Sequence, residues 1–310
     1  MVNWSQGIAS KNMKVSHPLL LAKGVELFVK REDLIHPEIS GNKWRKLKYH
    51  MLEALKDLTC KGLLTKGGPY SNHILATASA AASSGLNSRA FIRGECILPL
   101  NPTLNRAKEL GMELNFLDRT IFRKPIEELA GMEAMDGSWR LIPEGGTDAL
   151  GIKGCMEILT DSDRQDFERV AVALGTGGTA AGLLSTLAKG QSLMVFSALK
   201  GLDVSNTLGV LLGNDRFHPL REHLIPMEDY HFGGYAKMDA TLLSFIRDFE
   251  QETGIPLDPV YTAKMFYGLF DQIDKGLIPR GSIVLAIHTG GLQGRKGMEE
   301  RLGIDFSAKA

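Results

Sequence analysis

Apolar residues fall along this chain in two alternating rhythms. Trp44, Leu47, Met51, Leu55 and Leu58 recur at steps of three and four, which predicts a helix running on from Lys43 with one apolar stripe. Ser40 and Asn42 precede it as candidate N-caps. Short apolar runs at 25–30, 62–66, 89–93, 113–117, 139–142, 169–174, 192–198 and 282–287 read as strands. Between them, helical patterns are expected from Ser71-Asn72-His73 to about 84, and at 103–110, 124–135, 149–159, 180–187, 240–252 and after 262. Strands alternating with helices predict an α/β fold with parallel sheets covered on both faces.

Ligands of such sheets sit beyond the carboxyl ends of the strands. Four glycine-bearing segments occupy that position: Gly67-Gly68, Gly145-Gly146, the run Gly175-Thr176-Gly177-Gly178-Thr179, and Gly290-Gly291. Their recurrence says more than any one of them. The composition is ordinary for a globular chain of 310 residues, 44% hydrophobic and 23% charged. Lys+Arg and Asp+Glu are equal at 36 each, so there is no basic footprint for nucleic acid. The three cysteines, Cys60, Cys96 and Cys155, form neither a disulfide framework nor a metal pattern. With no basic-then-apolar leader and no long apolar run, a cytoplasmic protein without a membrane segment is expected.

The run 175–179 follows a strand and opens a helix, an arrangement that suits an anion: glycines admit the ligand to the backbone and two threonines add hydroxyls. A bare strand-to-helix turn is the plain alternative. A dinucleotide loop, Gly175-x-Gly177-x-x-Ala180, is the rival functional reading, and would make the chain a nicotinamide-dependent oxidoreductase. It lacks the required acid at the end of the next strand, Ser197-Ala198-Leu199-Lys200. Lys43 stands where a glycine turn meets a helix, where the dipole disfavours a cation and favours the neutral, nucleophilic amine. The plain reading is a solvated helix face carrying Lys43, Arg45, Lys46 and Lys48. Ser71 and Asn72 are also good caps, and His73, Tyr261, Thr262, His288 and Thr289 each have structural readings. A phosphate cup together with one special amine suggests a phosphate-bearing aldehyde, pyridoxal 5'-phosphate.

At this point the chain resembles a known family. Ser40-Gly41-Asn42-Lys43-Trp44-Arg45-Lys46-Leu47 is similar to the lysine motif of the 1-aminocyclopropane-1-carboxylate deaminase / D-cysteine desulfhydrase family. These are fold-type II pyridoxal-phosphate enzymes of the tryptophan synthase β group. Matching motifs run from Val29-Lys30-Arg31-Glu32-Asp33 to His288-Thr289-Gly290-Gly291-Leu292-Gln293-Gly294 in the family's order. The resemblance implies that Lys43 is the Schiff-base lysine, and that Asn72 bonds the cofactor's phenolic oxygen. By the same resemblance Ser71 meets the substrate carboxylate, with an acid/base or nucleophilic role, and residues 175–179 hold the phosphate. Tyr261, in Asp258-Pro259-Val260-Tyr261, and Tyr235, after Gly233-Gly234, match active-site tyrosines. Thr289 matches the hydroxyl that faces the pyridine nitrogen, and His73 and Thr262 fall at the substrate pocket. No metal is implied.

The ring-opening deaminases of the family carry Glu and Leu where this chain has Thr262 and Thr289. Two neutral hydroxyls suit β-elimination better than cyclopropane opening, so D-cysteine is the expected substrate and 1-aminocyclopropane-1-carboxylate the alternative. Pro69-Tyr70 before Ser71 departs from the enterobacterial desulfhydrases and opens the pocket edge to other β-substituted amino acids. A cofactor carrier or sensor without turnover is a further reading. The resemblance also implies a homodimer. It implies a larger unit, residues 1–46 plus 156–310, with a smaller one, 47–155, inserted.

Overall fold

The computed structural model describes residues 2–133 and 136–307. Among these, ten strands form two sheets. The strands are β1 (Asn12–Val15), β2 (Glu26–Lys30), β3 (Gly62–Gly67), β4 (Asn87–Arg93), β5 (Met112–Leu117), β6 (Trp139–Ile142), β7 (Arg169–Leu174), β8 (Ser192–Ser197), β9 (Leu224–Met227) and β10 (Ile283–Ile287). The six-stranded sheet runs β1-β2-β10-β7-β8-β9 and the four-stranded sheet β5-β4-β3-β6. All pairings are parallel except β1 with β2.

Alternation along the strands sends side chains to two cores. Ala171 and Ala173 of β7, with Val284 and Ala286 of β10, pack under the helices Ala240–Thr253 and Thr262–Asp274. Val170, Val172 and Leu174 face the opposite way, against Gly178–Leu184 and Val204–Leu212. In the smaller sheet, Leu63 packs on the helices Asn42–Lys56 and Asn72–Ser83, while Leu64 and Phe91 pack on Ile126–Met132. Both sheets are thus covered on both faces, as parallel sheets require.

Each sheet has one point where the chain reverses its direction of travel across the strands. In the larger sheet β7 leads outward to β8 and β9, whereas β10 returns to its other side. In the smaller, β3 leads to β4 and β5, and β6 returns. Segments leaving the two strands at such a point diverge and leave a crevice between them. Here both crevices open into one cavity.

Several expected boundaries move. Pro125 cannot continue a helix, so the expected helix 124–135 is replaced by Arg119–Phe122 and Ile126–Met132; Ala134 and Met135 lie outside the described residues. The helix Asn42–Lys56 ends before Leu58, which is 99% exposed and not part of the buried stripe. Its N-cap is Gly41, with no side-chain cap from Ser40 or Asn42. The helix Gly178–Leu184 begins earlier than expected and stops at Ser185, whose hydroxyl bonds back to the carbonyl of Ala181.

Candidate functional site

A cavity of about 640 Å3 lies where the strand ends of the two sheets meet. Gly68, Gly145, Gly175 and Gly290, one from each glycine-bearing segment, line it together with Lys43. Lys43 is set by three anchors on its own helix. Gly41, at φ +62°, comes so near the backbone of Thr289 that a Cβ would lie 2.0 Å from its carbonyl oxygen. The Asn42 amide N–H donates to that same oxygen at 3.1 Å. Arg45 is buried and donates twice to Glu32, each bond 2.8 Å, tying the helix to the chain just beyond β2.

The Asn42 side chain links the amine to the glycine–threonine run. Its Oδ1 accepts from Lys43 Nζ at 2.8 Å and its Nδ2 donates to Thr179 Oγ1 at 2.9 Å. Burial lowers the pKa of Lys43 to about 7, with Lys46 adding a repulsive charge; Cys155 and Asp258 act weakly in the other direction. Near neutral pH much of this amine is therefore uncharged. Desolvation is the main cause here, ahead of the dipole argument made from sequence. The solvated-face reading also fails: Arg45, Lys46 and Lys48 are all buried.

Lys46 was not singled out in the sequence, because it sits in a run of cations. One turn beyond Lys43, its Nζ donates to Gly145 O (3.0 Å), Thr147 Oγ1 (2.9 Å) and Thr176 Oγ1 (3.1 Å). All three partners are neutral, and among the described residues no carboxylate lies within ion-pair distance of it. A buried cation with only neutral partners, beside the glycine run, marks an anion site.

Ser71 caps the helix Asn72–Ser83, accepting from His73 N at 3.3 Å, so capping and a place on the cavity wall coexist in one residue. His73 lines the cavity with Nε2 at 2.9 Å from Thr65 Oγ1; burial holds its pKa well below the ordinary value, so the ring is neutral. Tyr235 and Tyr261 are close, ring centroids 6.1 Å apart, and both line the cavity. Burial raises both phenols, Tyr261 the more strongly, although 42% of Tyr235 remains exposed on its outer side. Gly175, Thr176, Gly177, Thr179 and Thr289 line the cavity, with Gly178 behind the wall against Thr147 and Lys46.

Thr262 departs from expectation. It is fully buried and absent from the cavity wall, its hydroxyl accepting from Asp258 N at 2.8 Å. A residue missed from sequence takes a place there instead. Asp258 lines the cavity at 1% exposure. Its Oδ2 accepts from the amides of Tyr261 and Thr262, while its Oδ1 has no hydrogen-bond partner among the described residues. Burial pushes its pKa up to about 6.

Residues 15–290 match the family described as pyridoxal-phosphate dependent enzyme. The chain belongs to that family. The putative 1-aminocyclopropane-1-carboxylate deaminase of Pyrococcus abyssi is 35% identical over 295 residues, covering 87% of this chain and 86% of the relative. The D-cysteine desulfhydrase of Klebsiella pneumoniae subsp. pneumoniae is 31% identical over 297 residues, 86% of this chain and 87% of the relative. A crystal structure of an ACC deaminase homologue superposes with a TM-score of 0.77 at 30% identity, over 95% of this chain and 93% of that one. The chain is thus a fold-type II enzyme of the 1-aminocyclopropane-1-carboxylate deaminase / D-cysteine desulfhydrase family, and its cofactor is pyridoxal phosphate.

The residues present fit that group. Lys43 offers an amine of lowered pKa, and Lys46 offers an uncompensated charge beside a glycine–threonine cup, which suits a phosphate ester. Asn72 Oδ1 is buried without a hydrogen-bond partner, as expected of an amide whose partner belongs to a ligand. Among the described residues no group of side chains could hold a metal ion, and no helix is long and apolar enough to cross a membrane.

Proposed function

We infer that the protein catalyses α,β-elimination from a small β-substituted amino acid, best D-cysteine, giving pyruvate, hydrogen sulfide and ammonia. The observation that carries the reading is the Lys43 amine, with a pKa of about 7, in one cavity with Ser71, Tyr261 and the neutral hydroxyl of Thr289. Pyridoxal phosphate, when bound, supplies an aldehyde for the substrate's amino group and a ring that accepts the electrons of the Cα–H bond. Lys43 would hold the aldehyde end, residues 175–179 with Lys46 the phosphate, Asn72 the phenolic oxygen, and Thr289 the pyridine nitrogen.

Lys43, neutral at the working pH, takes the Cα proton. Ser71, at the start of a helix, receives the substrate carboxylate, with the helix's first amides and the neutral His73 ring beside it. The phenols of Tyr261 and Tyr235 keep their protons, because burial disfavours phenolate, so either can donate one to the departing thiolate. The pair Thr262 and Thr289 supports elimination over ring opening: where the deaminases carry Glu and Leu this chain has a carboxylate at neither position to keep the pyridine nitrogen protonated, and a thiolate needs less electron withdrawal to leave than a cyclopropane carbon. The relatives' names divide between the two activities, so the direct test is product identity. Holoenzyme should release pyruvate from D-cysteine faster than 2-oxobutanoate from 1-aminocyclopropane-1-carboxylate; the opposite order would overturn the reading.

The same reading carries a two-unit organisation, residues 47–155 inserted in 1–46 plus 156–310. It is supported by the smaller sheet, drawn wholly from strands between Gly62 and Ile142. It also carries a homodimer in the cytoplasm, in keeping with three unpaired thiols.

A further inference from the structure

Once Lys43 and Lys46 are assigned to the cofactor, two cations on the cavity wall have no role. Arg93 ends β4, and its Nη2 would lie 3.2 Å from a Cβ on Gly68. The Ser71 amide donates to Gly68 O at 3.0 Å, so this guanidinium sits one turn of chain from the residue that receives the substrate carboxylate. Among the described residues Arg93 has no hydrogen-bond acceptor and no ion-pair partner. It is held by the ring of Phe122, 5.8 Å from the centroid, and Lys66 Nζ lies over the same ring at 4.4 Å. Lys66 donates only to the carbonyls of Phe122 and Lys124. Two cations therefore share one aromatic ring, neither with a carboxylate in ion-pair range.

Arg301, from the helix Gly294–Leu302, lines the cavity too, with Nη2 fixed on Ala236 O at 3.0 Å and no other hydrogen bond or ion pair among the described residues. The opposing charges on the cavity wall are Glu144, which makes no ion pair among the described residues, and the deeply buried Asp258. Outside the cofactor's own contacts the formal charges balance, two cations against two carboxylates, so it is the placement of Arg93, with no acceptor of its own among the described residues, that points to an anion. The cavity of about 640 Å3 reaches from Lys43 and Ser71 to both arginines, which lie on its wall.

We propose that Arg93, assisted by Arg301, binds a second anionic group of the substrate, so that the elimination extends beyond D-cysteine to amino acids with an anionic β-substituent such as a sulfonate, thiosulfonate or phosphate ester, taken ahead of neutral ones of similar size. The inference rests on the elimination reading above. The reaction balances in the same way: the Cα–H proton passes to Lys43, the Cβ–X pair leaves with the anion, and water releases pyruvate and ammonia. Arg93 is a binding residue in this scheme, since its planar fork matches an oxyanion and stacking on Phe122 leaves its edges free.

The test compares anionic with neutral substrates on the holoenzyme: cysteate, S-sulfocysteine and O-phosphoserine against S-methylcysteine and O-acetylserine, in both enantiomers, with pyruvate as readout. Arg93→Gln should lower kcat/KM for the anionic set by about 10-fold and leave the neutral set within about twofold. Arg93→Lys, which keeps the charge, should lose less. A second arm needs no elimination: titration with aspartate and asparagine, followed by cofactor absorbance, should show tighter binding of aspartate, and Arg93→Gln should abolish the difference. Equal losses on both substrate sets would mean that Arg93 serves the α-carboxylate, and that result, or equal affinity for aspartate and asparagine, overturns the proposal. If no amino acid is turned over while aspartate is still preferred through Arg93, the elimination reading fails and the anion site stands.

Discussion

Lys43 and Lys46 lie one helical turn apart, yet their surroundings ask different things of them. Lys43 is the amine proposed to react: burial and its cationic neighbour lower its pKa to about 7. The protonated form predominates below that pH and cannot attack a carbonyl. In cofactor-free protein, the rate of pyridoxal phosphate capture should therefore rise with pH and level off just above about 7, where an ordinary lysine would keep gaining reactivity toward 10.5. Stopped-flow absorbance gives this directly, and a plateau only near pH 10 would contradict the burial argument. Asp258 supports the charged form of Lys43, so Asp258→Asn should move the plateau to lower pH. Lys43→Ala should abolish both the absorbance near the visible edge and turnover. Burial also lowers the pKa of Lys46, which has only neutral partners, so a bound anion would favour its charged form. Lys46→Gln should weaken cofactor binding roughly 10- to 100-fold, the value of one charge-assisted hydrogen bond. Equilibrium dialysis checks this, and an unchanged Kd would remove Lys46 from the phosphate site.

Among the elements, the start of the helix Asn42–Lys56 is the most constrained. Gly41 combines a left-handed φ of +62° with an approach to the Thr289 carbonyl that leaves no space for a methyl group. Gly41→Ala should cost at least about 3 kcal/mol in stability, or shift the helix start and with it Lys43. Denaturant unfolding, together with the rate of cofactor capture, separates the two outcomes. This contact crosses the sheet between residues far apart in sequence, which explains why the sequence suggested Ser40 or Asn42 as caps instead. The apolar runs of β2 to β8 and β10 were legible because buried parallel strands are nearly continuous in hydrophobic residues. β1 and β9 were not: β1 is a four-residue antiparallel edge, and β9 is an edge strand carrying Pro226, tolerated there but read as a breaker. Glycine runs after strands exposed the loops of the site, since both fold rule and chemistry demand them there. Lys46, Asp258 and Arg93 stayed hidden because their significance lies in what does not pair with them, a counter-charge for the two cations and a donor for Asp258 Oδ1, and a sequence does not display missing pairings.

For the molecule as a whole, the cavity proposed to hold the cofactor lies where the strand ends of the two sheets meet. Its wall combines Asn72 and Gly68 beyond the smaller sheet with Thr176, Thr289 and Asp258 beyond the larger. A ligand gripping both should stabilise them together, by mass action on the folded form. At free pyridoxal phosphate 100 times its Kd, the gain is about 2.7 kcal/mol. That corresponds to a rise of about 5 °C in the unfolding midpoint for a chain of this size. The rise should be smaller in Lys46→Gln at the same cofactor concentration, because the phosphate end is released first. It should return in that variant when the concentration is raised in proportion to the new Kd, since the stabilisation depends only on occupancy. Calorimetry of wild type and variant across a cofactor series decides this. A midpoint that stays low at matched occupancy would show that Lys46 joins the two sheets through its own bonds to Gly145, Thr147 and Thr176, with the cofactor contributing little to the connection.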